Sequence, residues 1–129
     1  MTRSITAFTV VVPDYDLGIA FYRGALGFEL LEDRRLSDTK RWVRLGPGDE
    51  GCALLLAEAD DDAQRARIGD QTGGRVMGFL STDSFVDDHA RMLEHGVRFL
   101  EVPRHESYGI VAVFEDPWGN RWDLIQPAD

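Results

Sequence analysis

The side chains in this sequence best suited to chemistry are three histidines, one cysteine and a scatter of carboxylates, and their spacing decides what they can do. His89 and His95 stand six apart on a segment with helical periodicity, so they point to different faces and cannot share one ion. His105 lies in the loop-like stretch Pro103-Arg104-His105-Glu106. Histidines scattered in this way read as surface or packing residues. Cys52 opens an apolar run beside Gly51 with no base near it in sequence, and it reads as a small buried hydrophobe rather than a nucleophile. The chain carries no phosphate-binding P-loop, no G-x-G-x-x-G and no G-x-S-x-G.

Composition narrows the classes further. The 129 residues, 43% of them hydrophobic, suit a globular protein that buries roughly two-thirds of its unfolded surface and needs no disulfide or metal staple. A single cysteine cannot form an internal disulfide, which fits a reducing compartment. There is no apolar run near the length of a membrane span, and the N-terminus leads straight into a strand-like stretch. These features predict a soluble, cytoplasmic protein with no membrane partner. Fourteen Lys and Arg against 23 Asp and Glu give a net charge of −9, which repels phosphate backbones and argues against nucleic acid. The acidity serves solubility; attraction of a cationic ligand is the sharper reading, and it needs a site before it counts.

The elements that would position any site repeat. Ile5 to Val12 is β-branched and reads as a strand, Pro13-Asp14 punctuates it, and Asp14 or Asp16 is a plausible helix N-cap. Leu17, Ala20, Phe21 and Ala25 follow at helical spacing, and Gly27 falls where a left-handed C-cap belongs. Strands are predicted at Phe28 to Arg34, Lys40 to Gly46 and Cys52 to Ala57, with turns at Ser37-Asp38 and Gly46-Pro47-Gly48-Asp49. After an acidic, then glycine-rich connection that includes a short helix at Ala63 to Ile68, the pattern restarts. A strand at Val76 to Ser81, an N-cap near Asp83, a helix through Phe85 to Leu93 and a stop at Gly96 precede strands at Val97 to Val102, Tyr108 to Glu115 and Arg121 to Gln126. Asp116-Pro117-Trp118-Gly119-Asn120 makes the last turn. An offset of 69 lays Asp14 on Asp83, Gly27 on Gly96, Leu31 on Leu100, Glu32 on Glu101 and Arg35 on Arg104. The expected organisation is a module over residues 1–57, a connection over 58–74 and a second module over 75–129, forming one structural domain.

Two stretches carry a family resemblance. Asp14-(x)6-Phe21-Tyr22-(x)3-Leu26-Gly27-Phe28 resembles the first-helix signature of the glyoxalase/bleomycin-resistance/extradiol-dioxygenase superfamily, also called the vicinal oxygen chelate superfamily. Phe114-Glu115-Asp116-Pro117-Trp118-Gly119-Asn120-Arg121-Trp122-Asp123-Leu124 resembles its closing hairpin, and together the two span nearly the whole chain. The resemblance implies an α+β fold of two tandem βαβββ modules whose mixed sheets curl around a cavity, and it implies a homodimer.

Enzymes of that superfamily hold a divalent metal with His, Glu or Gln on the first and last strands of each module. The matching positions here are Ala7, Leu55, Val76 and Asp123. Three of the four have no lone pair to offer, and one carboxylate cannot hold a catalytic metal. No catalytic residue, metal or cofactor is therefore assigned.

If those positions face a cavity, strand alternation turns Thr9, Val11, Ala53, Gly78, Leu80, Arg121 and Ile125 the same way, and Phe8, Val10, Leu54, Leu56, Met77, Phe79, Trp122 and Leu124 toward the helices. Trp42 and Arg44 fall to the cavity, and Val111 and Val113 match them in the second module. Thr9, Trp42, Arg44, Leu55, Tyr108, Val113, Arg121 and Asp123 are thus the candidate ligand-binding residues, with Asp123 otherwise free to pair with Arg44 or Arg121. The leading expectation is a metal-independent protein that binds or sequesters a small organic molecule, a drug or a metabolite. The alternative is a metal-dependent, lactoylglutathione-lyase-like or dioxygenase-like enzyme. A third reading is an interaction module whose cavity is filled by its own side chains.

Overall fold

The computed structural model describes residues 1–48 and 51–129 and separates into two compact units, Met1–Ile68 and Gly69–Asp129. Asp49, the last residue of one predicted turn, lies outside the described residues. Each unit follows the βαβββ plan, with one strand of the second unit split in two.

In the first unit, β1 (Ala7–Val12), β2 (Glu29–Arg35), β3 (Arg41–Gly46) and β4 (Ala53–Glu58) form a sheet in the order β1-β4-β3-β2, with β1 parallel to β4 and the other pairs antiparallel. The Asp14 carboxylate caps the helix α1 (Tyr15–Ile19) by accepting from the Leu17 amide at 2.9 Å. The helix continues into a π-helical turn over Ala20–Ala25. That wider turn alters the angular step between residues. The buried stripe is Tyr15, Gly18, Tyr22 and Ala25, an ordinary helical spacing rotated from the expected Leu17, Ala20, Phe21 and Ala25; the rotation is already set ahead of the wider turn, where Tyr15 and Gly18 are buried and Leu17 is 56% exposed. Gly18 lets the helix lie close on the sheet, since a Cβ there would stand 2.8 Å from Leu56 Cδ1 and 3.2 Å from Val12 Cγ1. Val10, Val12, Val43, Leu45 and Leu56 make the core beneath it. Phe8 shares their alternation but lies near the start of β1, and it is 62% exposed.

In the second unit, β5 (Val76–Ser81), β6 (Arg98–Phe99), β8 (Gly109–Glu115) and β9 (Arg121–Pro127) run in the order β5-β9-β8-β6, and β7 (Arg104–Glu106) also pairs with β8. A short helix α2 (Asp62–Arg65) ends the first unit, and α3 (Phe85–Glu94) covers one face of the second sheet. The N-cap of α3 is Ser84, beside Asp83 where it was expected, and its amide donates to the Thr82 hydroxyl at 2.9 Å. Phe85, Met92, Phe114, Trp122 and Leu124 form the core there, with the Phe114 and Trp122 rings stacked 9° from parallel. The predicted single strand Val97 to Val102 is broken: Arg98–Phe99 pairs and the Leu100 amide still donates to the Val113 carbonyl before the chain bulges, and Arg104–Glu106, expected as a loop, resumes the pairing.

The sheets do not curl around a cavity as the family resemblance implied. Both strand orders are open and linear, and no rim strand pairs with another rim among the described residues. Strand number explains this. A closed interior with room for a ligand takes about eight strands, whereas four or five carry only the ordinary twist.

Candidate functional site

Each sheet has one face under its helix and one turned away from it, and register decides what the second face carries. In the first unit Thr9 pairs with Leu55, Leu55 with Arg44, and Arg44 with Glu32, so the four form a row across all four strands. Trp42 alternates with Arg44 onto the same face. Arg44 Nε donates to Glu32 Oε1 at 2.6 Å, and the Trp42 indole also donates to Glu32. These contacts, the Arg44 bond first, hold the Glu32 carboxyl below its usual range against the opposing cost of desolvation. Beside this row, Trp42, Leu55 and Ala57 border a cleft of about 500 Å³ whose other walls include Tyr15, Lys40 and Gln64. Four of the expected ligand-binding residues, Thr9, Trp42, Arg44 and Leu55, thus share one face.

In the second unit a register shift between Val76 and Gly78 changes the expected alternation. Phe79, not Gly78 or Leu80, is the partner of Asp123, and Asp123 in turn pairs with Val113. Gly78 pairs with Trp122 on the helix side. Phe79 is therefore 71% exposed instead of packed under α3. Glu101, in the bulge between β6 and β7, accepts from the Val113 amide at 2.8 Å and from Arg104 Nε at 2.8 Å. Arg104 also bonds to Glu106, and the Tyr108 hydroxyl supports its charge. Tyr108 lies just before β8 and is exposed. Arg121 shares the face of Asp123 but donates to the Gly74 carbonyl at 3.0 Å.

Asp123 pairs with neither arginine the sequence offered. Arg44 is engaged by Glu32, and Arg121 by Gly74. Asp123 Oδ1 is closed off from solvent and has no hydrogen-bond partner among the described residues. Desolvation pushes its carboxyl above the usual carboxylate range; the Arg104 charge opposes this and the Glu101 charge adds to it.

The positions where the superfamily's enzymes hold metal do not fit a metal here. Ala7, Leu55 and Val76 offer no donor, leaving Asp123 alone. No group of three or more His, Cys, Asp or Glu among the described residues is arranged to hold an ion. His89 stacks near Phe85 and Phe99, with ring centroids 5.7 and 4.4 Å away, and His95 Nδ1 meets the Arg91 carbonyl at the end of α3. His105 is exposed on β7, and the Cys52 thiol, half-buried, donates to the Ala53 carbonyl.

Sequence reasoning missed Glu32, Glu101, Arg104 and Phe79 as members of these faces. The repeat held a signal for two of them. Glu32 and Glu101 fall on each other at an offset of 69, and each receives an arginine from its own sheet or its edge.

Over residues 4–124 the chain matches the profile of the Glyoxalase/Bleomycin resistance protein/Dioxygenase superfamily, and it belongs to that family. It is 47% identical over 131 residues to an uncharacterized protein of Shewanella frigidimarina (strain NCIMB 400), covering 100% of this chain and 97% of that one. Among solved structures it is similar to UcmS2, with a TM-score of 0.82, 29% identity and coverage of 97% of this chain and 98% of that one. It is also similar to TnmS3, an antibiotic binding protein from Streptomyces sp. CB03234, with a TM-score of 0.78, 29% identity and 98% coverage of each chain. No helix among the described residues is long and apolar enough to cross a membrane.

Proposed function

We propose that this chain is a metal-independent binding protein for a small organic molecule, taken up on the sheet faces turned away from the helices and in the cleft at the margin of the first sheet. The observation that carries this reading is the cleft of about 500 Å³ bordered by Trp42 and Leu55. Its volume falls within the usual range for small-ligand sites, and its lining joins Tyr15, Trp42 and apolar side chains to polar and charged groups that include Lys40, Arg41 and Glu58. Thr9 and Arg44 do not line the cleft but share the face of Leu55 and Trp42 beside it, and Arg44 is held in place by Glu32. Similarity to TnmS3 supports sequestration of a drug-like compound, and the non-ligating residues at Ala7, Leu55 and Val76 support binding without metal. Cytoplasmic location and a homodimer belong to the same proposal.

A thermal-melt screen against a broad panel of aromatic compounds, run with elemental analysis of the untagged protein, tests it. Ligand at about a hundred times its Kd stabilises the folded chain by about 2.7 kcal/mol. The expected result is a clear upward shift with at least one compound, near-zero metal, and no shift on adding zinc, nickel, manganese or iron. Absence of any shift across the panel would overturn the proposal. So would about one tightly held metal per chain whose removal abolishes a lyase or dioxygenase activity.

A further inference from the structure

We infer that the face of the second unit is selective for an organic cation, the protonated amine of an aromatic ligand, with Asp123 as its counter-charge and Phe79 as its aromatic wall. This rests on the binding function proposed above and names the ligand chemistry that one face favours.

The cation nearest Asp123, Arg104, is already shared between Glu101 and Glu106. Arg121 is turned to the Gly74 carbonyl, and Arg98 to Glu115. Asp123 Oδ1 is shut off from solvent and receives no donor among the described residues, so its negative charge is not dispersed by hydrogen bonds there. Asp123 as a residue is only half-buried, so a cation approaches it through the part that remains open.

Phe79 stands directly across the register from Asp123 on β5 and is largely exposed. An aromatic face attracts a cation electrostatically and also accepts an aromatic ring by offset stacking. A carboxylate with no cation committed to it, placed beside an open phenyl ring, is the donor-poor, π-rich pairing that an ammonium group satisfies. A neutral ligand satisfies only the ring, and an anion meets Asp123 and Glu101 as like charges. The wider field agrees: residues 69–129 carry five Lys and Arg against eleven Asp and Glu. Such a surface raises the local concentration of a cation before contact.

The test uses three isosteric probes on the full chain, with titration calorimetry at neutral pH: 2-naphthylmethylammonium, 2-naphthalenemethanol and 2-naphthoate. The expected order is the ammonium tighter than the alcohol by about tenfold or more, with no measurable binding of naphthoate. Added salt should narrow the gap between ammonium and alcohol. Asp123→Asn should bring the ammonium down to the affinity of the alcohol, and circular dichroism confirms that the variant folds. Equal affinity for ammonium and alcohol overturns the inference, as does a preference that survives Asp123→Asn. Failure of every naphthyl probe while other compounds stabilise the protein overturns it too, yet leaves the binding function standing. Silence across both the probes and the wider panel overturns both.

Discussion

The indole of Trp122 lies against the backbone at Gly78. A Cβ built on Gly78 would stand 2.6 Å from Trp122 Cζ3 and 2.8 Å from Cε3. The ring cannot easily yield, because its other contacts include a stacked Phe114. Gly78→Ala is therefore expected to cost about 2 kcal/mol through overpacking. Urea unfolding measures it, and a neutral substitution would mean that the ring is free to move.

A second glycine is held by backbone. Gly69 has φ +75°, and its Cβ would stand 1.7 Å from the Trp118 carbonyl oxygen, where the glycine-rich part of the connection meets the hairpin turn. Gly73 has φ +67° and open space around it. Gly73→Ala should cost about 1 kcal/mol, the penalty for a left-handed residue with a side chain. Gly69→Ala should cost about 3 kcal/mol or more, because the turn must also separate. Comparing the two by denaturant titration isolates the clash from the backbone preference.

Asp123 gives stability a pH signature. Its carboxyl is pushed above the ordinary value of 3.8 by burial, so the folded state holds that proton more tightly than the unfolded chain. Its contribution is greatest in acid and falls as pH rises through the folded value. Asp123→Asn should accordingly raise Tm at neutral pH and leave it unchanged near pH 3. Glu32, held low by Arg44, has the opposite sign: Glu32→Gln should lower Tm slightly at neutral pH and have no effect once both states are protonated. Melting curves across pH would refute this account if both variants responded alike.

Ligand binding in the first unit should be visible by fluorescence. Trp42 borders the cleft, whereas Trp122 is buried under α3. An aromatic ligand in that cleft should change the tryptophan emission, and Trp42→Phe should remove most of the change while weakening binding by about tenfold. A response that persists in the variant would place the ligand elsewhere.

The sequence made some of this architecture legible and concealed the rest for local reasons. Val76–Ser81 occupies the predicted residues, Asp14 caps the first helix, and Gly27 and Gly96 both take positive φ at the helix ends. These features depend on neighbouring residues alone. The stripe of the first helix was misread because its buried positions include Gly18, whose small size lets the helix lie on the sheet, while the apolar Leu17 beside it is left exposed. Phe79 was assigned to the wrong face for a similar reason. Alternation propagates an error of one residue through a whole strand, and the register shift before Gly78 introduces that error. Thr9, Leu55 and Arg44 share a face as expected, since those strands pair regularly where the three meet. The environment of Asp123 was beyond reach because it depends on Glu101 and Arg104, which a broken strand brings back against β8.

That broken strand bears on how the protein behaves at high concentration. A long, continuous outer strand offers a row of free amides and carbonyls on which another chain can build. Here the outer margin beside β8 consists of a two-residue piece and a three-residue piece. Between them the Val113 amide is occupied by the Glu101 carboxylate. An incoming segment would find only short runs to join and would have to displace a charged group to link them. This margin of the second sheet is thereby a poor template for an added strand, because it is interrupted.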